Sequence, residues 1–113
     1  MGTFSISKKE NGLFKFEYNS RKGKTLLTSQ SYKDKEACEQ DIIFLKERIE
    51  QVSFLKFKTP AGKFFFKMIH KGHIHGISRK FTTELLLAKG LDEITTKFSA
   101  SEVLDFSQEI LFD

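Results

Sequence analysis

With 113 residues the chain is one domain's worth, able to remove roughly two-thirds of its unfolded surface from water, whereas half of it would be too short to bury a sizeable core alone. One cysteine excludes an internal disulfide framework, no apolar run approaches the roughly 20 residues of a membrane span, and without a charged-then-apolar leader the expectation is a cytosolic protein. The net charge of +4 conceals a division: residues 1–33 carry seven basic and two acidic side chains and 52–81 seven basic and none acidic, a net +12, while 34–51 carry three and six and 82–113 two and seven, a net −8.

Phe4-Ser5-Ile6-Ser7 alternates apolar and polar, Lys9-Glu10-Asn11-Gly12 supplies turn chemistry, and Phe14-Lys15-Phe16-Glu17-Tyr18 alternates again, which predicts a hairpin. A third strand runs from Thr25 to Ser29. Asp34 is a candidate N-cap, and Cys38, Ile42, Leu45 and Ile49 form one buried stripe on a helix of about 34–51. A strand follows over Ser53 to Lys58, then the turn Thr59-Pro60-Ala61-Gly62, a strand over Phe64 to Met68, and Lys71-Gly72 as a two-residue hairpin loop with glycine where positive φ is required. His73 to Arg79 is the next strand. Thr82 or Thr83 caps a second helix with the stripe Leu87, Leu91, Ile94 and Phe98, and Ser101 to Phe106 is the last strand.

The order of elements comes twice. Ser29 and Ser78, Tyr32 and Phe81, Asp34 and Thr83, Cys38 and Leu87, Leu45 and Ile94, and Phe57 and Phe106 are all 49 residues apart, while Gly12-Leu13-Phe14-Lys15-Phe16 and Gly62-Lys63-Phe64-Phe65-Phe66 are 50 apart. The expected fold is α+β: two β-β-β-α-β repeats forming one mainly antiparallel sheet, with both helices on one face and the C-terminal strands exchanged. Residues 1–113 then make a single domain of two repeats, about 3–57 and 53–106, with a tail over 107–113.

Phe14-x-Phe16, then Gly23-Lys24-Thr25-Leu26-Leu27-Thr28-Ser29-Gln30-Ser31-Tyr32, then Lys35-x-x-Cys38 and Ile42, resembles the YegP-like family of small bacterial proteins. The likeness spans about residues 3–106 and is weaker in the second half, at Gly62 to Phe66, Gly72, Ser78, Phe81, Gly90 and Leu91. It implies β3-α-β units that assemble one sheet with exchanged C-terminal strands. The chain departs from the family at Asp41, where a helix glycine is usual and is kept at Gly90, and at Lys24 and His73, where an acidic residue commonly follows the hairpin glycine. The family brings no established activity, so the resemblance assigns no residue a role.

Several groups of side chains could carry chemistry. His70 and His73 oppose each other across the Lys71-Gly72 turn with His75 on the same face, a candidate pair or trio of metal ligands, although no carboxylate or thiolate stands near them in sequence. Cys38 occupies the place that Leu87 fills in the other helix and is flanked by Glu36, Glu39 and Asp41, a setting that suits a core thiol and not a nucleophile. Ser29 and Ser78 stand beside the helix entries without a Gly-x-Ser-x-Gly elbow, which suits turn or cap hydrogen bonds. Lys15, Lys63, Phe65 and Lys67 project from the second strands to the face opposite Phe14, Phe16, Phe64 and Phe66. An open basic sheet face bearing an aromatic ring is a way of holding single-stranded nucleic acid.

The expectation is a monomeric, non-enzymatic binding or scaffold protein without a cofactor. Single-stranded nucleic acid on the open face is the first alternative for its partner. Another protein, held at a sheet edge or by Ile110-Leu111-Phe112, is the second.

Overall fold

Alternating apolar residues and two amphipathic helices settle into one seven-stranded sheet with both helices against it. The computed structural model describes residues 2–107, and the Ile110-Leu111-Phe112 segment lies outside them. In chain order the elements are β1 (Thr3–Lys8), β2 (Phe14–Asn19), β3 (Thr25–Ser29), α1 (Lys35–Glu47), β4 (Ser53–Lys58), β5 (Phe64–His70), β6 (His73–Ser78), α2 (Glu84–Lys97) and β7 (Glu102–Asp105). Across the sheet the order is β4-β5-β6-β3-β2-β1-β7, antiparallel everywhere except where β7 lies parallel to β1. The strand that follows α1 therefore pairs with β5, and the strand that follows α2 returns to β1.

Each helix starts where a side chain satisfies an orphan amide. Asp34 accepts from the Ala37 N–H at 2.8 Å and Thr83 from the Leu86 N–H at 3.1 Å. Both helices close in a 3-10 turn, Ile49–Gln51 and Phe98–Ala100. Their apolar stripes meet the inward side of the sheet in a single core that includes Phe4, Ile6, Phe16, Tyr18, Leu27, Phe66, Met68, Cys38, Ile42, Leu45, Ile94 and Phe98. The rings interlock: Phe98 stands edge-on to Phe4 with centroids 4.5 Å apart, and Tyr18 shares a 2.8 Å hydrogen bond with the hydroxyl of Ser101.

Positions 49 or 50 apart take matching roles. The Ser29 hydroxyl accepts from Phe16 N–H at 2.8 Å and donates to the Gln30 carbonyl, and the Ser78 hydroxyl accepts from Phe66 N–H at 2.9 Å and donates to the Arg79 carbonyl. Thr28 and Ile77, themselves 49 apart, face each other across the β3–β6 pair, so an approximate two-fold axis passes between them. A one-residue bulge interrupts the alternation in each half, at Leu26 and at His75, because Tyr18 and Asn19 pair with Leu27 and Thr25 while Met68 and Ile69 pair with Gly76 and Ile74. Each bulge turns its residue toward a concavity built from both halves.

Candidate functional site: an open sheet face and a histidine cleft

The outward face of the sheet carries one continuous transverse row. Leu55, Lys67, Ile77, Thr28, Glu17, Ser5 and Leu104 stand side by side from β4 to β7. The β4–β6 end is apolar and aromatic. Phe57 and Phe65 are register partners whose rings stack 18° from parallel, 5.2 Å between centroids, and the Lys67 ammonium lies 5.0 Å from the Phe57 centroid. Leu55 and Ile77 stand exposed on either side of Lys67, and Ile74 is exposed farther along β6.

The four residues expected on this face are not equivalent. Phe65 and Lys67 belong to the aromatic end, whereas Lys15 lies three strands away on β2, with Glu17 Oε2 3.7 Å from its ammonium. Lys63 is exposed in the turn that precedes β5, its N–H bonded to the Thr59 hydroxyl at 3.0 Å. Phe57 is the residue that sequence reasoning missed. Its strand was expected over Ser53 to Lys58, but only the β4–β5 register sets Phe57 against Phe65.

The three histidines gather on the other side of the sheet. Lys71 and Gly72, at φ 48° and 80°, form the tight loop, and His70 pairs directly with His73. The bulge turns His75 toward α1, where its Nδ1 lies 3.0 Å from Asp41 Oδ2. Tyr32 donates its hydroxyl to the same carboxylate oxygen. Because a carboxylate only accepts, Nδ1 is the donor in this contact. Phe44 stacks on His75 at 6.1 Å and meets His70 edge-on at 5.0 Å, with the Arg48 guanidinium 4.6 Å from its centroid. Partial burial, and then the charge of Lys71, lower the His70 pKa below its usual value. Burial, and then the bond to Asp41, push the Tyr32 hydroxyl well above the ordinary tyrosine range.

The three histidines, Asp41 and Phe44 line, with Gln30 and Lys71, a concavity of about 450 Å³. The carboxylate that the sequence lacked near the histidines is thus supplied by α1, yet it engages the one ring nitrogen it reaches. Among the described residues no three His, Cys, Asp or Glu side chains are placed to hold a metal ion. The second half shows what Asp41 replaces. Gly90 lies under the Phe81 ring so closely that an added Cβ would be 2.7 Å from Cζ, whereas at the matching place the longer Tyr32 reaches the Asp41 carboxylate.

Cys38 is fully buried, and burial, followed by the charges of Asp41, Glu39 and Asp105, pushes its thiol up to about 12. No helix of the described residues is long and apolar enough to cross a membrane. No family model matches the chain. Over 106 residues, 92% of its length, the chain is 28% identical to the UPF0339 protein YegP of Escherichia coli K12 and 26% identical to the UPF0339 protein in the ptx operon 5′ region of Stutzerimonas stutzeri, covering 96% of each. The solution NMR structure of yegP from E. coli, a protein of unknown function, matches its fold with a TM-score of 0.81 at 25% identity, over 96% of both chains. In sequence over nearly its whole length, and in fold, the chain is similar to YegP and its UPF0339 relatives.

Proposed function

We propose that the chain is a binding module rather than an enzyme, and that the β4–β6 end of its open face holds single-stranded nucleic acid. The observation that carries this reading is the stacked Phe57–Phe65 pair with the Lys67 ammonium beside it. Two near-parallel stacked rings offer more surface to a base than the single exposed phenylalanine expected from sequence, and each base stacked on a ring contributes about 1–3 kcal/mol. Lys63 stands exposed beyond the same strand, and the chain's net charge of +4 favours a polyanion.

A non-catalytic reading is supported by the state of the reactive groups. The Cys38 thiol is buried with its proton firmly held. The Ser29 and Ser78 hydroxyls are engaged with backbone. The His75–Asp41 pair has Tyr32 as its third member, a group that holds its own proton. Fluorescence anisotropy of labelled oligo-dT and oligo-U against the protein tests the proposal. Saturable binding at low salt that weakens steadily as salt is added is expected, and no binding at low salt overturns it.

A protein partner is the second reading, favoured by Leu55, Ile74 and Ile77, which stand 49%, 42% and 43% exposed on the same end of the face. The β4 edge is less suited to strand addition, since Lys56 and Lys58 lie along it. Because β7 returns to β1 within the same chain, no strand has to be taken from a second copy, and the protein is expected to be a monomer.

A further inference from the structure

The approximate two-fold axis relates the histidine cleft to a second concavity on the helix side of the sheet. This one, of about 280 Å³, lies where the β2–β3 turn meets the segment after β6 and the middle of α2. Lys24, Arg79, Lys80 and Lys89 line it with the Phe81 ring, and among the described residues Glu93 is its only acidic side chain. Arg79 is fixed there by its N–H, which bonds the carbonyl of the bulged Leu26 at 3.0 Å, and by its guanidinium, 5.8 Å from the Phe81 centroid. Among the described residues none of the four cations has an acidic partner within 4.0 Å.

The fold does not demand this charge. At the places 49 residues away, the histidine cleft and its surroundings have His73 for Lys24, Gln30 for Arg79, Ser31 for Lys80 and Gln40 for Lys89. The same backbone thus supports a concavity without lysine or arginine at any of these positions, and the convergence of four unpaired cations in one of the two concavities is a property of its side chains. Four like charges gathered around one carboxylate still repel one another on balance, and an anion bound between them removes that cost.

Glu93 narrows the class of anion. Its Oε2 is shielded from solvent and has no hydrogen-bond partner among the described residues. A carboxylate oxygen in that state calls for a donor. We propose that the cleft binds a small phosphate monoester that also carries a hydroxyl or amine: the cations hold the phosphate, and Glu93 accepts from the donor. The volume lies just below the about 300–1,000 Å³ of ordinary ligand pockets, which suits a sugar phosphate or a nucleoside monophosphate and not a dinucleotide. The site faces away from Phe57, Phe65 and Lys67 and does not rest on the nucleic-acid reading.

The test is an NMR titration of the whole ¹⁵N-labelled chain with ribose 5-phosphate and with AMP, and with inorganic phosphate and ribose in parallel. Ribose 5-phosphate or AMP is expected to shift the amides of Lys24, Arg79, Lys80 and Thr82 saturably, inorganic phosphate more weakly, and ribose not at all. Tighter binding of AMP than of ribose 5-phosphate assigns a nucleoside monophosphate, and the reverse a sugar phosphate. Arg79→Gln and Lys89→Gln introduce the residues found at the matching places. Each should keep the wild-type melting temperature and weaken binding by about tenfold. Glu93→Gln should tighten inorganic phosphate and narrow the preference for the ester over it. Absence of saturable shifts at low millimolar ligand, shifts confined to Phe65 and Lys67, or unchanged affinity in the Arg79 and Lys89 variants overturns the proposal.

Discussion

Phe65 and Phe66 are neighbours on β5 that point to opposite faces, so replacing each with alanine measures what the two faces contribute. Phe66 is fully buried, stacked on Phe81 with centroids 6.4 Å apart and edge-on to Phe54 at 5.7 Å. Truncation there removes a whole ring from a closed core, and Phe66→Ala should cost about 3–5 kcal/mol. That is a large share of the roughly 5–15 kcal/mol by which domains of this kind are stable. For a chain of this length it lowers Tm by about 12–20 °C. Phe65 is half-buried and its aromatic partner is Phe57, so Phe65→Ala forfeits a surface pair worth about 0.5–1.5 kcal/mol. Urea melts with a common slope read the difference directly as a shift in midpoint. A Phe65→Ala penalty equal to or above that of Phe66→Ala would refute the assignment of the two faces.

Other outcomes follow from the same geometry. The folded state holds the Tyr32 proton beyond the ordinary value of 10.0, so stability is whole below that pH and falls as pH rises past it. Tyr32→Phe should flatten part of that alkaline fall in urea midpoints taken between about pH 8 and about pH 11, and equal slopes in the two proteins would count against the network. With its thiol pushed up to about 12 and fully buried, Cys38 should react with iodoacetamide at mildly alkaline pH only as fast as the protein opens, and prompt labelling of the folded chain would contradict the burial. Lys67→Glu should flatten the salt dependence of oligonucleotide binding by roughly 0.7 in logarithmic slope for each phosphate that position 67 ceases to neutralise, and Lys15→Glu by less, because Glu17 already sits 3.7 Å from Lys15. Equal effects at the two positions would show that the bound strand spreads over the whole face.

What the sequence displayed was local. The strands expected over Thr25 to Ser29 and Ser53 to Lys58 stand at those residues as β3 and β4, and the stripes Cys38-Ile42-Leu45 and Leu87-Ile94 are the buried faces of the helices. Asp34 and Thr83 cap as their residue types suggest. The expected helix over about 34–51 divides into α1 and a 3-10 turn, since Arg48 leaves helical geometry at φ −120°. What stayed hidden depends on pairing. His75 stands on the face of His70 and His73, as alternation from His73 suggests, but the carboxylate that meets it there lies 34 residues away in the chain and arrives only through tertiary structure. The replacement of a usual helix glycine by Asp41 is visible in the sequence, and its consequence is not, because both of its partners arrive through tertiary structure. Phe57 was invisible as a platform for the same reason, its stacking partner being set by register.

The central claim, that the β4–β6 end of the open face is the binding surface, is tested most directly by mapping amide shifts of the labelled chain as a single-stranded oligonucleotide is added at low salt. The expected result is saturable shifts at Leu55, Phe57, Phe65, Lys67 and Ile77, abolished together in Phe57→Ala/Phe65→Ala, with the cleft amides of Arg79 and Lys80 unmoved. Shifts centred on the Lys24–Arg79–Lys80 cleft, or no shifts at any residue, would contradict it.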